Sequence, residues 1–174
     1  ATGARSRSLP NVPQDGRKVI GYREALTLPR LPESMVVMGS GAIGSELAYF
    51  YATMGAKVTI VEYMPRLVPV EDDDIAATLA RCFRKAGIKT MTSAAVEKVE
   101  VVDGKCKVTV KDAKEKITEL ECDIVLSAVG VATNIEGIGL EECGVAVERG
   151  KVVVDDFYRT NVEGVSGGGL ASGH

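Results

Sequence analysis

The hydrophobic positions of the first thirty residues follow neither helical nor strand spacing. Residues 5–33 hold four of the six prolines (Pro10, Pro13, Pro29, Pro32) and read as a connecting arm, with room for one helical turn over 21–28. Order begins at Met35-Val36-Val37-Met38, an apolar run closed by Gly39, the pattern of a short buried strand. Ile43, Leu47, Phe50 or Tyr51 and Met54 then recur at steps of three and four, which predicts a helix with one apolar face, and Gly55 stands where its C-terminal cap is expected. Residues 57–62 (KVTIVE) form a β-branched strand with an acidic last residue. A second helical face is drawn by Ile75, Leu79, Cys82 or Phe83 and Ala86, closed by Gly87.

The next third changes character. Short strands are predicted over 88–92, 96–102, 106–111 and 117–122, with Asp103-Gly104 as a hairpin turn and a charged turn over 111–116. Residues 123–130 (DIVLSAVG) return to a nearly all-apolar strand ending in Gly, and 151–154 is one more strand. Strand–helix–strand–helix–strand predicts an α/β fold: a parallel sheet with right-handed crossovers and helices on both faces, carrying an inserted three-stranded antiparallel meander. The expected divisions are 1–33 as the arm, 34–155 as the sheet domain, 156–165 as a return segment and 166–174 as a Gly/Ser-rich tail or linker.

Composition narrows the function classes. Lys and Arg number 21 against 24 Asp and Glu, a net charge of −3, which argues against nucleic acid or an anionic membrane as partner. No apolar run approaches the length of a membrane span, and no signal peptide is visible. The opening Ala1-Thr2-Gly3-Ala4-Arg5 reads as the interior of a longer chain. Cys82, Cys106, Cys122 and Cys143 show no metal-ligand or redox spacing, and the one histidine is His174. They read as reduced, mostly buried thiols of a cytoplasmic protein, although a disulfide remains compatible with four cysteines. The acidic run Glu71-Asp72-Asp73-Asp74 reads as the solvated first turn of a helix, with metal binding as the less favoured alternative.

One motif carries chemistry. Gly39-Ser40-Gly41-Ala42-Ile43-Gly44 is a G-x-G-x-x-G that follows a predicted strand, opens a predicted helix and leads to a second strand ending at Glu62, 18 residues after Gly44. That context marks a Rossmann-like dinucleotide site. Gly39 permits the tight turn, Gly41 lets a pyrophosphate approach the backbone, and Gly44 lets helix and strand pack closely. The helix N-terminus presents N–H groups and a positive dipole end. Glu62 would accept hydrogen bonds from the adenosine ribose, and its charge repels a 2′-phosphate. Tyr63, Met64 and Pro65 separate it from Arg66, so NAD is expected over NADP. FAD, whose adenosine half uses the same fingerprint, is the rival ligand. Ser45 and Glu46 lie in the first turns of the helix. Glu46 is open to two readings, an acid favoured by the helix dipole or a contact at the nicotinamide end. No catalytic nucleophile–base pair is visible, so the chain reads as able to hold a cofactor and unable to use it alone.

The segment Ala1-Thr2-Gly3, the run Met38–Leu47 (MGSGAIGSEL), the stretch 58–74 (VTIVEYMPRLVPVEDDD), residues 127–140 and residues 155–164 together resemble a dihydrolipoamide dehydrogenase, of the flavin-dependent disulfide oxidoreductases. The resemblance runs from residue 1 to about 165. It implies a parent enzyme that moves electrons from dihydrolipoamide through a redox disulfide and FAD to NAD, as a homodimer serving 2-oxo-acid dehydrogenase complexes and the glycine cleavage system. It implies an NAD site at Gly39, Ser40, Gly41, Ala42, Ile43, Gly44, Ser45 and Glu46, with Glu62 on the ribose, Val96 near the adenine and Gly130 on the backbone side. Ala42 matches a gate over the flavin. Thr2, Gly3 and Ala4 match a segment that touches FAD in the parent only, to which 1–33 and 156–165 would connect. The chain departs from the family at Gly130-Val131-Ala132-Thr133-Asn134, where relatives read G-R-x-P-N. It also departs at Ser166-Gly167-Gly168-Gly169, where they continue into an Ala-x-Gly-Asp flavin motif. The alternatives are another flavoprotein of this kind, such as an NADH oxidase or a coenzyme A disulfide reductase, and, in a different class, a stand-alone NAD-responsive binding module.

Overall fold

In the computed structural model, which describes residues 1–172, the chain runs through β1 (Ala4–Ser6), β2 (Val19–Ile20), α1 (Tyr22–Ala25), β3 (Ser34–Met38), α2 (Ala42–Thr53), β4 (Lys57–Val61) and α3 (Asp73–Lys85). It continues through β5 (Lys89–Met91), β6 (Ala94–Val102), β7 (Lys105–Asp112), β8 (Ile117–Cys122), β9 (Ile124–Ser127), β10 (Val131–Thr133), β11 (Val147–Glu148), β12 (Lys151–Val152) and a 3₁₀ turn at Gly169–Ala171. Two compact units result. The larger is Ser6–Gly130; the smaller joins Ala1–Arg5 to the chain from Val131 onward. Among the described residues no helix is long and apolar enough to cross a membrane.

In the larger unit five parallel strands lie in the order β2-β9-β3-β4-β5. Their side chains alternate between two cores, as the strand period requires. Ile20, Met35, Val37, Val58, Ile60 and Leu126 meet Ala25, Ala48, Tyr51, Ala76 and Phe83 from the helices. Val19, Val36, Met38, Val61 and Val125 meet Val96, Cys106, Val108, Val110 and Cys122 from the antiparallel sheet β6-β7-β8. The α/β class and the inserted meander therefore match expectation, while helices on both faces do not. Crossovers of one hand, β3–α2–β4 and β4–α3–β5, step in one direction and leave both helices on the same face. The meander covers the other.

The predicted helical faces hold in part: Leu47 and Tyr51 on α2 and Leu79 and Phe83 on α3 reach the core, and other predicted positions do not. On α2 the buried residues are Gly44, Ser45, Ala48 and Tyr51, whereas Phe50 and Met54 are 53% and 57% exposed. A Cβ on Gly44 would stand 2.1 Å from the Gly39 carbonyl oxygen and 3.2 Å from Ala128 Cβ. Close approach of small residues at Gly44 and Ala48, with Tyr51 buried beside them, sets the face of this helix. On α3 Ala76 and Phe83 are buried, Leu79 and Ala80 pack beside them, and Ile75 is 55% exposed. The acidic run supplies the N-cap Asp72 and the first-turn Asp73 and Asp74. Asp73 pairs with Arg66, and no cluster of metal-binding side chains occurs among the described residues.

The Asp103-Gly104 turn joins β6 to β7 with both residues at positive φ (50° and 78°), the twist that a tight antiparallel hairpin needs. Residues 6–33, expected as an arm, belong to the larger unit. Its β2 pairs with β9, and Val12 and Ile20 are fully buried. In the smaller unit Arg5 forks onto Glu136 and also bonds the Asn134 side chain and the Thr133 carbonyl. Residues 166–172, expected as a linker, fold here: Arg159 bridges Ser166, Gly167 N–H donates to the Tyr158 carbonyl, and Ala171 is buried. Gly173 and His174 lie outside the described residues.

Candidate dinucleotide site

The glycine-rich loop leaves β3 at the carboxyl edge of the parallel sheet. β3 has β4 on one side and β9 on the other, so the loop sits where the strand order reverses, the usual ligand crevice of an open α/β sheet. Three glycines face three different surroundings. Gly39 has φ +93°, and a Cβ there would stand 2.6 Å from the Ala128 carbonyl oxygen. Gly44 is pressed against Gly39 as described. At Gly41 an added Cβ would meet nothing within 4 Å. Gly41 is the N-cap of α2 and supplies no side-chain cap; the first helical bond is Ser45 N–H to the Gly41 carbonyl at 2.9 Å. The amides of Ala42, Ile43 and Gly44 precede that bond and point out of the helix end. An open glycine beside uncapped amides at a positive dipole end fits a phosphate group.

Ser40 organises this loop. It is fully buried, and its N–H and Oγ–H both donate to Glu62 Oε2 at 2.7 Å. Its carbonyl accepts from Ser45 Oγ at 2.8 Å, and its carbonyl and Oγ both accept from Val68 N–H at 3.2 Å. Glu62, 6% exposed, takes a third bond on Oε1 from Met64 N–H at 2.7 Å. A carboxylate has about four acceptor positions, so capacity for a ribose hydroxyl remains. Val68 holds φ +39°, a strained setting for a β-branched side chain. Arg66 bonds the carbonyls of Pro69 and Glu71 and pairs with Asp73, so its guanidinium is committed to its own loop. Sequence reasoning gave Ser40 only a place in the motif and left out Val68. Contacts across 22 and 28 residues carry no local signature.

The other expected residues are distributed as follows. Ala42 and Glu46 are exposed on α2, Ile43 is half-buried and Ser45 is buried. Gly130 is exposed at φ +107° with open space around it, and its carbonyl accepts from Arg7 N–H. The Val96 side chain points into the core between the sheets and is 8% exposed. Thr2, Gly3 and Ala4 belong to the smaller unit for all their contacts with Asn134, which bonds the Thr2 and Gly3 carbonyls. The structure thus brings Gly39 through Glu46 together with Glu62 and sets the Val96 side chain apart from them.

The family model described as pyridine nucleotide-disulphide oxidoreductase matches residues 1–169. Among curated proteins, the dihydrolipoyl dehydrogenase of Rhizobium etli is 48% identical over 165 residues, covering 95% of this chain and 34% of that protein. That of Zymomonas mobilis is 42% identical over 165 residues, covering 95% and 35%. The chain therefore spans about a third of the length of these relatives. Among solved structures, LpdA from Mycobacterium tuberculosis superposes with a TM-score of 0.87 at 31% identity, over 99% of this chain and 37% of that one. The HOCl-induced flavoprotein disulfide reductase RclA from Escherichia coli gives 0.82 at 29% identity, over 95% and 38%.

Proposed function

The chain belongs to the pyridine nucleotide-disulphide oxidoreductase family, and from that premise we propose that it is the NAD(H)-binding part of a dihydrolipoyl dehydrogenase. The observation that carries the reading is the uncapped α2 N-terminus beside the open face of Gly41. The names of the curated relatives support the dihydrolipoyl branch. NAD, when bound, supplies a two-electron hydride acceptor. This chain's residues bind and orient it. The amides of Ala42, Ile43 and Gly44 take the pyrophosphate, and Glu62, held by Ser40, takes an adenosine ribose hydroxyl. Glu46 is the contact towards the nicotinamide, Gly130 offers backbone, and Val96 lends the adenine side only its main chain. The buried Glu62 charge and the engaged Arg66 favour NAD over NADP.

In the whole protein, Thr2, Gly3 and Ala4 contact FAD. A redox disulfide outside this chain passes electrons from dihydrolipoamide, and the enzyme works as a cytoplasmic homodimer within 2-oxo-acid dehydrogenase complexes. The chain alone binds NAD(H) without turnover. The likeness to RclA supports a second reading, the same NAD-binding role in another flavoprotein disulfide reductase.

Calorimetric titration with NADH, with NADPH as control, tests the site. Saturable binding of NADH and at least about tenfold weaker binding of NADPH is expected, a difference of about 1.4 kcal/mol. Equal binding of both, or of neither, overturns the assignment. Reduction of NAD by dihydrolipoamide in the whole protein separates the two branches.

A further inference from the structure

Cys82 and Cys143 are exposed, whereas Cys106 and Cys122 are buried. These two lie 16 residues apart in sequence and directly opposite each other in the β7–β8 register. Both side chains enter the core between the two sheets, at 0% and 2% exposure, and the Cys106 thiol donates to the carbonyls of Asp123 and Lys18 at 3.7 and 3.8 Å. Directly opposed residues of antiparallel strands have Cα atoms about 4.5–5.5 Å apart, a separation that a disulfide spans without moving the backbone. The dinucleotide site uses neither thiol. A cleft of about 340 Å³, walled by Ser34, Lys57, Gly87 and Lys89, also has Cys122 in its wall. A small solute in that cleft therefore comes up against Cys122, at the edge of the sheet remote from the glycine-rich loop.

We propose that Cys106 and Cys122 are a redox modification site, a cross-strand dithiol that hydrogen peroxide closes to a disulfide. One sulfur of the pair attacks as thiolate, since the thiolate is the nucleophile. It bonds one peroxide oxygen, the O–O bond breaks, and hydroxide leaves and takes up the proton of the other thiol as water. The second sulfur then attacks the sulfenic acid so formed, the S–S bond forms, the S–O bond breaks, and hydroxide leaves to take up a proton from solvent. Two thiols lose two electrons and two protons in all, and one peroxide becomes two waters. The bond ties β8, at the edge of its sheet, to β7 just before Asp123 leads the chain into β9.

The test uses the 174-residue chain with Cys82→Ser and Cys143→Ser. It is treated with hydrogen peroxide, alkylated with iodoacetamide, digested with trypsin without reductant and analysed by mass spectrometry. The expected product is the dipeptide Cys106-Lys107 joined to peptide 117–149, two hydrogens lighter than the sum and released by dithiothreitol. With Cys122→Ser added, dimedone labels Cys106 and no joined peptide forms. Circular dichroism of each variant before treatment confirms that it is folded. Recovery of both cysteines alkylated, or each oxidised singly without a joined peptide, in folded protein overturns the proposal.

Discussion

Gly41 and Gly44 are three residues apart in one motif and answer to different constraints. A side chain at Gly41 enters open space beside the helix end, whereas one at Gly44 enters the Gly39 carbonyl. Gly41→Val is therefore expected to leave the thermal midpoint nearly unchanged and to weaken NADH binding at least about tenfold, because the methyl groups occupy the phosphate position. Gly44→Ala is expected to destabilise the fold by about 3 kcal/mol, since backbone and helix must separate. Denaturant titration and calorimetry on the two variants check the split. If Gly41→Val binds NADH normally, the phosphate position is wrong. At this scale the glycines were legible because their spacing is local. Ser40 was not, since its importance comes from Glu62, a residue on the next strand. The Cys106–Cys122 pair was invisible for the same reason: cross-strand register has no imprint in linear spacing.

Each helix was legible as an element, and its orientation in part. Apolar periodicity located both α2 and α3 and put Leu47, Leu79 and Phe83 on the inward side, but it left Phe50 and Tyr51 undecided and took Met54 and Ile75 inward. In the structure Phe83 is buried at 3% and Phe50 is 53% exposed. Phe83→Ala is expected to cost about 3–5 kcal/mol, while Phe50→Ala stays within about 0.5 kcal/mol. Urea unfolding of the two variants measures this directly. Comparable losses would put Phe50 in the core beside Tyr51. The hairpin at Asp103-Gly104 was legible because both positions demand positive φ, which is a local property. Strand β2 was not. Two residues are too few for periodicity, and only pairing with β9, more than a hundred positions later, makes them a strand.

Across the larger unit, Asp123 is the joint between the two sheets. Its carboxylate accepts from Ser34 N–H and Ser34 Oγ at the start of β3 and from Lys105 Nζ on β7. The Lys105 ammonium, with the Ser34 bonds, holds its pKa below the ordinary 3.8 despite the partial burial that opposes it. A carboxyl depressed in the folded state contributes stability that is present above its unfolded pKa and lost as pH falls through the folded one. Asp123→Asn is therefore expected to lower stability by about 1–3 kcal/mol at pH 7, with the two proteins converging as the pH is brought below 3.8. Urea midpoints measured across that range test it; a difference independent of pH would remove the charge from the account.

The strand order has a temporal consequence. Strand β9 lies inside the sheet, between β2 and β3, yet it is the last of the five to be synthesised. At about 5–20 residues per second, ribosomes deliver β3, β4 and β5 several seconds before β9 arrives. Throughout that interval β2 has no neighbour to pair with, and Gly39 lacks the Ala128 carbonyl that backs it. A nascent chain stalled shortly before residue 128 thus has its whole glycine motif synthesised and lacks the Ala128 backing of Gly39. On the proposed assignment, cofactor capture follows release of the meander.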